Sequence, residues 1–308
     1  MRPIYPIIIP ADQICKSTWI TDLEYSNLVL HIKNLCLNYP SLIMGFSADF
    51  DAKVHARFIA ESIIEWGINV FMPDYPVPLA ALSYAITTKS MPIGLYIEEI
   101  KDKESVKIIP ISSHGGLFDN QDLKTSPVPV NSKKGVIGST DIASLYVKHL
   151  AGFADPFIEK GLSFSQFNNP FRELSVIMEK NENLKIIFEK DVKGIAASLS
   201  VNGCLLSLKN NESEITTEEI AKKIAKYLKD ERFTSGTILV PKGKGSNFSQ
   251  FEEIEEIDGN IYDLAYSAAF SNLFIGWWEN GLIAMQGSSC FGDGLLAAIY
   301  YLESLRTI

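Results

Sequence analysis

The sequence predicts an α/β protein of three-layer α/β/α domains on mixed, mainly parallel sheets. Three observations carry this expectation. Short apolar runs alternate with helical stretches through residues 42–87. Glycines fall where helices or strands should end. Residues 273–305 read as a strand, a Gly-bounded loop and a helix.

In chain order, Leu42 to Phe46 is a short buried strand. Phe58 to Trp66 is a helix closed by Gly67, a residue suited to the left-handed turn that ends helices. Ile68 to Met72 is the next strand and Leu79 to Thr87 the next helix. That order at that spacing implies right-handed βαβ units. Residues 117–134 are polar and proline-containing and read as a linker. Ile142 to Ala151 is helical, with a further turn or two expected over Ala154 to Lys160. Gly194 to Leu199 and Gly203 to Leu208 form a hairpin across Asn202-Gly203. Lys209 to Ser213 reads as a second linker.

Thr217 heads an amphipathic helix carrying Ile220, Ile224, Tyr227 and Leu228 on one face, and Thr237 to Val240 is a strand. Phe251 to Asp258 is acidic and reads as a solvated surface turn or helix. Leu273 to Ile275 is a strand entering the loop Gly276 to Gly281. Asp293 is an N-cap, because its carboxylate accepts the free N–H groups of a first helical turn. Leu295, Leu296, Ile299, Leu302 and Leu305 then give that helix an apolar face. Three modules follow: 1–130, 131–208 and 209–308.

Bulk properties bound the function. At 308 residues the chain is long enough for two or three domains, and 46% hydrophobic with 21% charged residues suits a soluble globular protein. A net charge of −9 argues against nucleic acid as a main partner. The four cysteines, Cys15, Cys36, Cys204 and Cys290, form no C-x-x-C pair and read as free thiols. No apolar run is long enough to span a membrane, and the proline-broken N-terminus does not read as a signal peptide. A cytoplasmic protein without membrane contact is expected.

Five segments in order resemble the α-D-phosphohexomutases, the phosphoglucomutase and phosphomannomutase family. Asp22-Leu23-Glu24-Tyr25-Ser26-Asn27 is similar to that family's Asp-Phe-Thr-x-x-Asn, and Ile43-Met44-Gly45-Phe46 to its Val-Val-Gly-Tyr strand. Asp74 to Ala85, Asp-Tyr-Pro-Val-Pro-Leu-Ala-Ala-Leu-Ser-Tyr-Ala, resembles Pro-Val-Pro-Thr-Pro-Ala-Leu-Ser-Phe-Ala. Tyr146 to Leu150 resembles the helix opening the second domain. Finally, residues 275–304 resemble the third domain's sugar loop, Gly-Glu-x-Ser-Gly, followed by Asp-Gly-x-x-Ala-Ala. The resemblance implies phosphohexomutase-like domains 1 and 3 around a shortened domain 2. The chain stops at Ile308, so it also implies that the phosphate-binding fourth domain is missing.

The resemblance calls for a phosphoserine, a Mg²⁺ held by three aspartates, and a sugar loop. The metal loop should follow Gly194-Ile195-Ala196, yet the chain continues Ala-Ser-Leu-Ser-Val-Asn-Gly without a carboxylate. No metal cofactor is therefore expected. The Asp-x-Arg after the first Gly-Tyr strand has become Ser47-Ala48-Asp49. The nucleophile has two readings. Aligned by length, its position falls near Ile100 and the serine is gone; alternatively a hairpin is inserted, making Ser113 the phosphoserine and His114 its neighbour. In the sugar loop the positions fall on Trp278, Glu279 and Asn280, which offer a stacking ring and hydrogen bonds to a hydroxyl. Lys242-Gly243-Lys244-Gly245-Ser246 has a nest-like look, with Lys242 and Lys244 as phosphate contacts, though without the Walker spacing. His31 and His55 read as surface or packing residues.

The expected function is thus that of a non-catalytic phosphohexomutase homologue, a binding, regulatory or assembly module for a protein partner or a second copy of itself. The alternative is a residual binder of a hexose phosphate or a phosphoglucomutase/phosphomannomutase-type isomerase.

Overall fold

A computed structural model describes residues 5–15, 41–118, 133–155, 164–188, 194–211 and 213–305. The Asp22–Asn27 segment, His31, Cys36, residues 119–132 of the first linker and residues 156–160 lie outside the described residues. The chain divides into two compact units, Met1–Ile142 and Ala143–Ile308. The expected modules 131–208 and 209–308 meet in the second unit, apart from residues 131–142.

In the first unit, β1 (Ile7–Pro10), β2 (Ser41–Phe46), β3 (Asn69–Met72), β4 (Ile93–Ile100), β5 (Ser105–Ser112) and β6 (Ile137–Ser139) form one sheet in the order β1-β5-β4-β2-β3-β6. Its centre is parallel: β2 pairs in parallel with β3 and β4, and β3 with β6. Its other side is antiparallel, with β5 between β4 and β1. Helix α1 (Ala11–Cys15) follows β1. Helices α2 (Ala52–Ile64) and α3 (Leu79–Thr88) make the crossovers β2-α2-β3 and β3-α3-β4, which run in opposite directions along the sheet. Right-handed crossovers of opposite direction put the two helices on opposite faces. Leu42, Met44, Phe46, Ile59, Ile63, Ile93 and Leu95 are fully buried in the core under α2. Gly94 lets α3 close on the sheet, since a Cβ there would sit 2.1 Å from Cδ1 of Ile86.

Most strand and helix positions match the sequence reading to within a few residues. Helix α2 starts six residues earlier than expected, because Ala52, Lys53, Ala56 and Arg57 are good helix formers and His55 N–H already bonds the Asp51 carbonyl at 3.0 Å. Gly67 takes φ +80°, the left-handed turn anticipated for it.

The second unit holds two sheets. Strands β7 (Gln166–Asn168), β8 (Ile195–Leu199), β9 (Leu206–Asn210) and β10 (Ser213–Ile215) form the order β10-β9-β8-β7. Helices α4 (Ala143–Phe153) and α5 (Arg172–Glu179) accompany this sheet. The Asn202-Gly203 hairpin is present, with Leu199 opposite Leu206 and Gly203 at φ +74°. Lys209 to Ser213 is not a linker: β9 runs into β10 through a tight turn at Asn211, whose φ is +54°.

Strands β11 (Thr237–Pro241), β12 (Ile254–Ile257), β13 (Leu273–Trp278) and β14 (Leu282–Met285) form the order β12-β11-β13-β14. The first three are parallel and β14 returns antiparallel. Helices α6 (Thr217–Asp230), α7 (Ile261–Phe270) and α8 (Gly294–Ser304) complete the unit. Along β13, Trp277 bonds Thr217 of α6 at 3.1 Å, while a Cβ on Gly276 would meet Leu264 of α7. Adjacent strand residues point to opposite faces, so α6 and α7 cover the two sides and the layers are α/β/α. Helix α6 begins with a capping box between Thr216 and Glu219, and its four predicted apolar residues are buried.

Two readings need correction. The acidic stretch 251–258 contains an edge strand, β12, rather than a surface turn or helix. Charge does not preclude a strand whose outer edge faces water, and Glu255 and Glu256 are exposed there. The expected loop 276–281 is a tight hairpin: Trp277 and Trp278 belong to β13, and Trp278 pairs with Leu282 across Glu279-Asn280-Gly281.

Helix α8 is buried on every side from Gly294 to Ser304, so it shows more than the single apolar face its leucines suggested. Asp293 caps it as expected, accepting Leu296 N–H at 3.0 Å. Gly294 permits a close approach, because a Cβ there would lie 3.0 Å from the Gly203 carbonyl oxygen and 2.7 Å from Leu199.

Candidate functional site

In parallel α/β sheets, ligands sit outside the carboxyl ends of the strands, where loops diverge. In the first unit that edge is formed by the residues after Phe46, Met72, Ile100 and Ser139. Several of its polar groups are engaged. The Ser47 hydroxyl donates to Asp49 Oδ2 at 2.7 Å, and Lys101 Nζ lies 3.9 Å from Asp49 Oδ1. Glu99 accepts the Asp51 N–H at 3.3 Å, and Ser139 donates to Asp74 Oδ2 at 2.9 Å.

The two readings of the nucleophile are separated by topology. Strand β4 runs to Ile100, turns through Lys101–Lys103 and Glu104, and returns as β5. Residues 100–104 offer no hydroxyl, and the next one, Ser105, is buried and donates to the Lys103 carbonyl at 2.8 Å. Ser113 and His114 form an exposed turn after β5. Because Ile93 pairs with Ser112, this turn emerges at the amino ends of β2 and β4, roughly 23 Å from the carboxyl edge at 3.3 Å per strand residue. The Ser83 hydroxyl anchors it through the Gly115 carbonyl at 2.6 Å.

Magnesium, which the resemblance calls for, needs a set of anionic oxygens. The β8–β9 loop does not fit it. The Asn202 side-chain oxygen accepts the Ser200 hydroxyl at 2.7 Å and the Cys204 N–H at 3.1 Å, and Ser200 Oγ accepts the Leu205 N–H at 3.1 Å. These oxygens serve the turn itself, and none carries a charge. Cys204 and Cys290 are buried.

The third sheet gathers most of the remaining candidates. Pro241, Ile257 and Trp278 end its parallel strands, bringing Lys242, Lys244, Asp258 and Glu279 to one edge. Lys244 Nζ is 2.5 Å from Glu279 Oε1, and Lys242 Nζ is 2.7 Å from Asp258 Oδ2. Each carboxylate holds its lysine above the ordinary lysine range, chiefly through the hydrogen bond. Asn280 Oδ1 accepts the Leu282 N–H at 3.3 Å and so shapes the hairpin turn. Trp278 is half-buried. Trp277 is buried, its ring 5.5 Å from Phe248. The structure thus brings Trp278, Glu279, Asn280, Lys242 and Lys244 to one edge of one sheet.

Residues the sequence did not single out complete this edge. Both oxygens of Glu256 accept backbone N–H groups of the lysine-glycine loop, Gly243 at 2.9 Å and Gly245 at 2.7 Å. Those two bonds hold the Glu256 carboxyl below the usual glutamate range. Glu218 accepts Asn247 Nδ2 at 2.8 Å and lies 2.5 Å from Lys222. An acidic run alone does not reveal which of its carboxylates meets the lysine-glycine loop.

A second polar system lies inside the same unit. Tyr146 of α4 donates to Asp293 Oδ1 at 2.6 Å, and Ser288 donates to Oδ2 at 2.8 Å. Burial, followed by the Asp293 charge, pushes the Tyr146 phenol well above its ordinary value. Glu303 accepts Asp155 N–H at 2.6 Å, Tyr227 OH at 2.8 Å and Arg232 at 3.0 Å. Burial raises the Glu303 carboxyl, and those hydrogen bonds oppose the rise.

Two mixed α/β units with divergent loops at their sheet edges are a layout that solved structures share. The chain superposes on a protein assigned as a phosphomannomutase from Thermus thermophilus with a TM-score of 0.68 and 14% identity, covering 89% of this chain and 75% of that one. A phosphoglucomutase/phosphomannomutase family protein from Burkholderia thailandensis gives 0.69 at 11% identity, covering 99% and 76%. The open form of the exocytosis-sensitive phosphoprotein pp63/parafusin, a phosphoglucomutase from Paramecium, gives 0.70 at 12% identity, covering 100% and 72%. No family model matches the chain. No curated protein matches it either. The fold is that of the phosphoglucomutase and phosphomannomutase proteins, over about three-quarters of their length.

Proposed function

We propose that this chain is a non-catalytic protein of phosphohexomutase fold that serves as a binding, regulatory or assembly module for a protein partner or a second copy of itself. One observation carries the reading: the strands and caps of the fold are kept, while the length-aligned serine position has no hydroxyl and the expected metal loop no carboxylate. The turn after β4 has no hydroxyl at the length-aligned serine position, and the β8–β9 loop spends its oxygens on its own turn. Phosphoryl transfer relies on positioned charge to stabilise a moving phosphoryl group, and the β8–β9 loop carries none. Among the described residues no helix is long and apolar enough to cross a membrane.

The meeting of Lys244 with Glu279, beside Trp278 and Asn280, favours a second reading, residual binding of a hexose phosphate. Thermal melting with glucose 1-phosphate, glucose 6-phosphate and the mannose isomers separates the two, since a ligand of the folded state raises its melting temperature. We expect no shift with any of them. A shift that grows with concentration and vanishes in Lys244→Ala would replace the first reading with the second.

A further inference from the structure

The lysine-glycine loop has the geometry of an anion site and already contains an anion. Gly243 takes φ +82° and Lys244 φ −110° with ψ 0°. Such an alternation of handedness turns successive backbone N–H groups toward one point, forming a concavity that holds phosphate or carboxylate. Glu256 of β12 fills it with both oxygens, at 2.9 and 2.7 Å. The carboxylate lies against the loop: a Cβ on Gly245 would sit 2.6 Å from Glu256 Oε1, so a side chain at 245 would require that oxygen to shift. Lys242 and Lys244 flank the loop, and each is in turn held by a second acid, Asp258 or Glu279.

We propose that residues 242–245 form a latent phosphate site closed by the chain's own Glu256, an internal anion that a phosphate or phosphate monoester must displace. The ligand class follows from the donors: two convergent N–H groups and two lysines suit a compact dianion with several acceptor oxygens. In the resting protein each of these cationic or donor groups has a carboxylate partner. The site therefore stays closed to weak ligands. Release of Glu256 frees the two N–H groups and leaves Lys242 and Lys244 beside them. This inference does not depend on whether the protein is catalytic.

The test uses inorganic phosphate and the amide resonances of Gly243 and Gly245 in ¹H–¹⁵N NMR spectra of the full chain. In the wild type these two amides should follow the titration of Glu256 as pH is lowered, with a midpoint below that of an ordinary glutamate, and should ignore phosphate at neutral pH. In Glu256→Ala and Glu256→Gln they should shift saturably with phosphate, with affinity at least about tenfold tighter than wild type, a difference of roughly 1.4 kcal/mol. Glu255→Gln, which removes the neighbouring charge without touching the nest, should behave as wild type. Wild-type amides that do not sense Glu256 would overturn the proposal without any variant. So would folded Glu256 variants whose amides ignore phosphate, or an equal response in Glu255→Gln.

Discussion

Helix α8 and the loops at the third sheet's carboxyl edge both carry acids, but they hold them in opposite ways. Asp293 and Glu303 are buried, and each is tied to three donors. Asp258 and Glu279 are exposed and paired with flexible lysine side chains, while Glu256 sits in open solvent on two backbone N–H groups. A buried carboxylate without full satisfaction costs several kcal/mol, so its position is dictated by the fold. An exposed pair contributes little, so its identity is set by whatever ligand, if any, the edge must hold. The fold can therefore stay intact while the chemistry at its edge is rewritten.

The largest effect is expected at Glu303. Replacing it by Ala removes the shared acceptor of Arg232, the Tyr227 hydroxyl and the Asp155 N–H, leaving Arg232 only its bonds to Tyr227 and the Phe153 carbonyl. The loss should be about 3 kcal/mol, at the low end for a broken buried pair because Arg232 keeps one side in solvent. Urea unfolding of the second unit measures it. The same residue fixes a pH trend. Its folded carboxyl is raised, so the folded chain binds that proton more readily than the unfolded one. Its contribution to stability is greatest below the unfolded glutamate value and is lost as pH rises through the raised folded value. Glu303→Gln should remove that component. An unchanged pH profile would show that Glu303 is fully compensated by Arg232.

Next comes Asp293→Ala, expected to cost about 2 kcal/mol through the lost N-cap and the orphaned Tyr146 hydroxyl. Tyr146→Phe should recover part of this loss in the double variant, because the two side chains share one bond. Additive losses would mean that they act independently. The smallest effect belongs to Lys244→Ala and Glu279→Ala, whose pair is solvent-exposed and should leave the unfolding midpoint unchanged within error. A substantial loss there would mark the pair as part of the framework and weaken the contrast.

The legibility of the chain divides along the same line. Apolar periodicity and capping gave β2, β3, α3, α6, the Asn202-Gly203 hairpin and the Asp293 cap, because each is a local consequence of residue type. Misread segments were those decided by tertiary contact. The acidic run 251–258 becomes a strand because β11 supplies its partner, and Lys209–Ser213 becomes a hairpin because β9 is already paired with β8. At the edge, the sequence identified Trp278, Glu279, Asn280, Lys242 and Lys244 but not their partners. Which acid meets which lysine depends on how three strands end side by side, and spacing along the chain does not encode that.

Turnover decides whether this framework persists without phosphoryl transfer. The full chain, incubated with glucose 1-phosphate, glucose 1,6-bisphosphate and Mg²⁺, is followed by ³¹P NMR and then by intact mass. A non-catalytic chain yields no glucose 6-phosphate above the enzyme-free control and carries no added phosphate. Sustained conversion, with one phosphate on Ser113 and loss of both in Ser113→Ala, would contradict it.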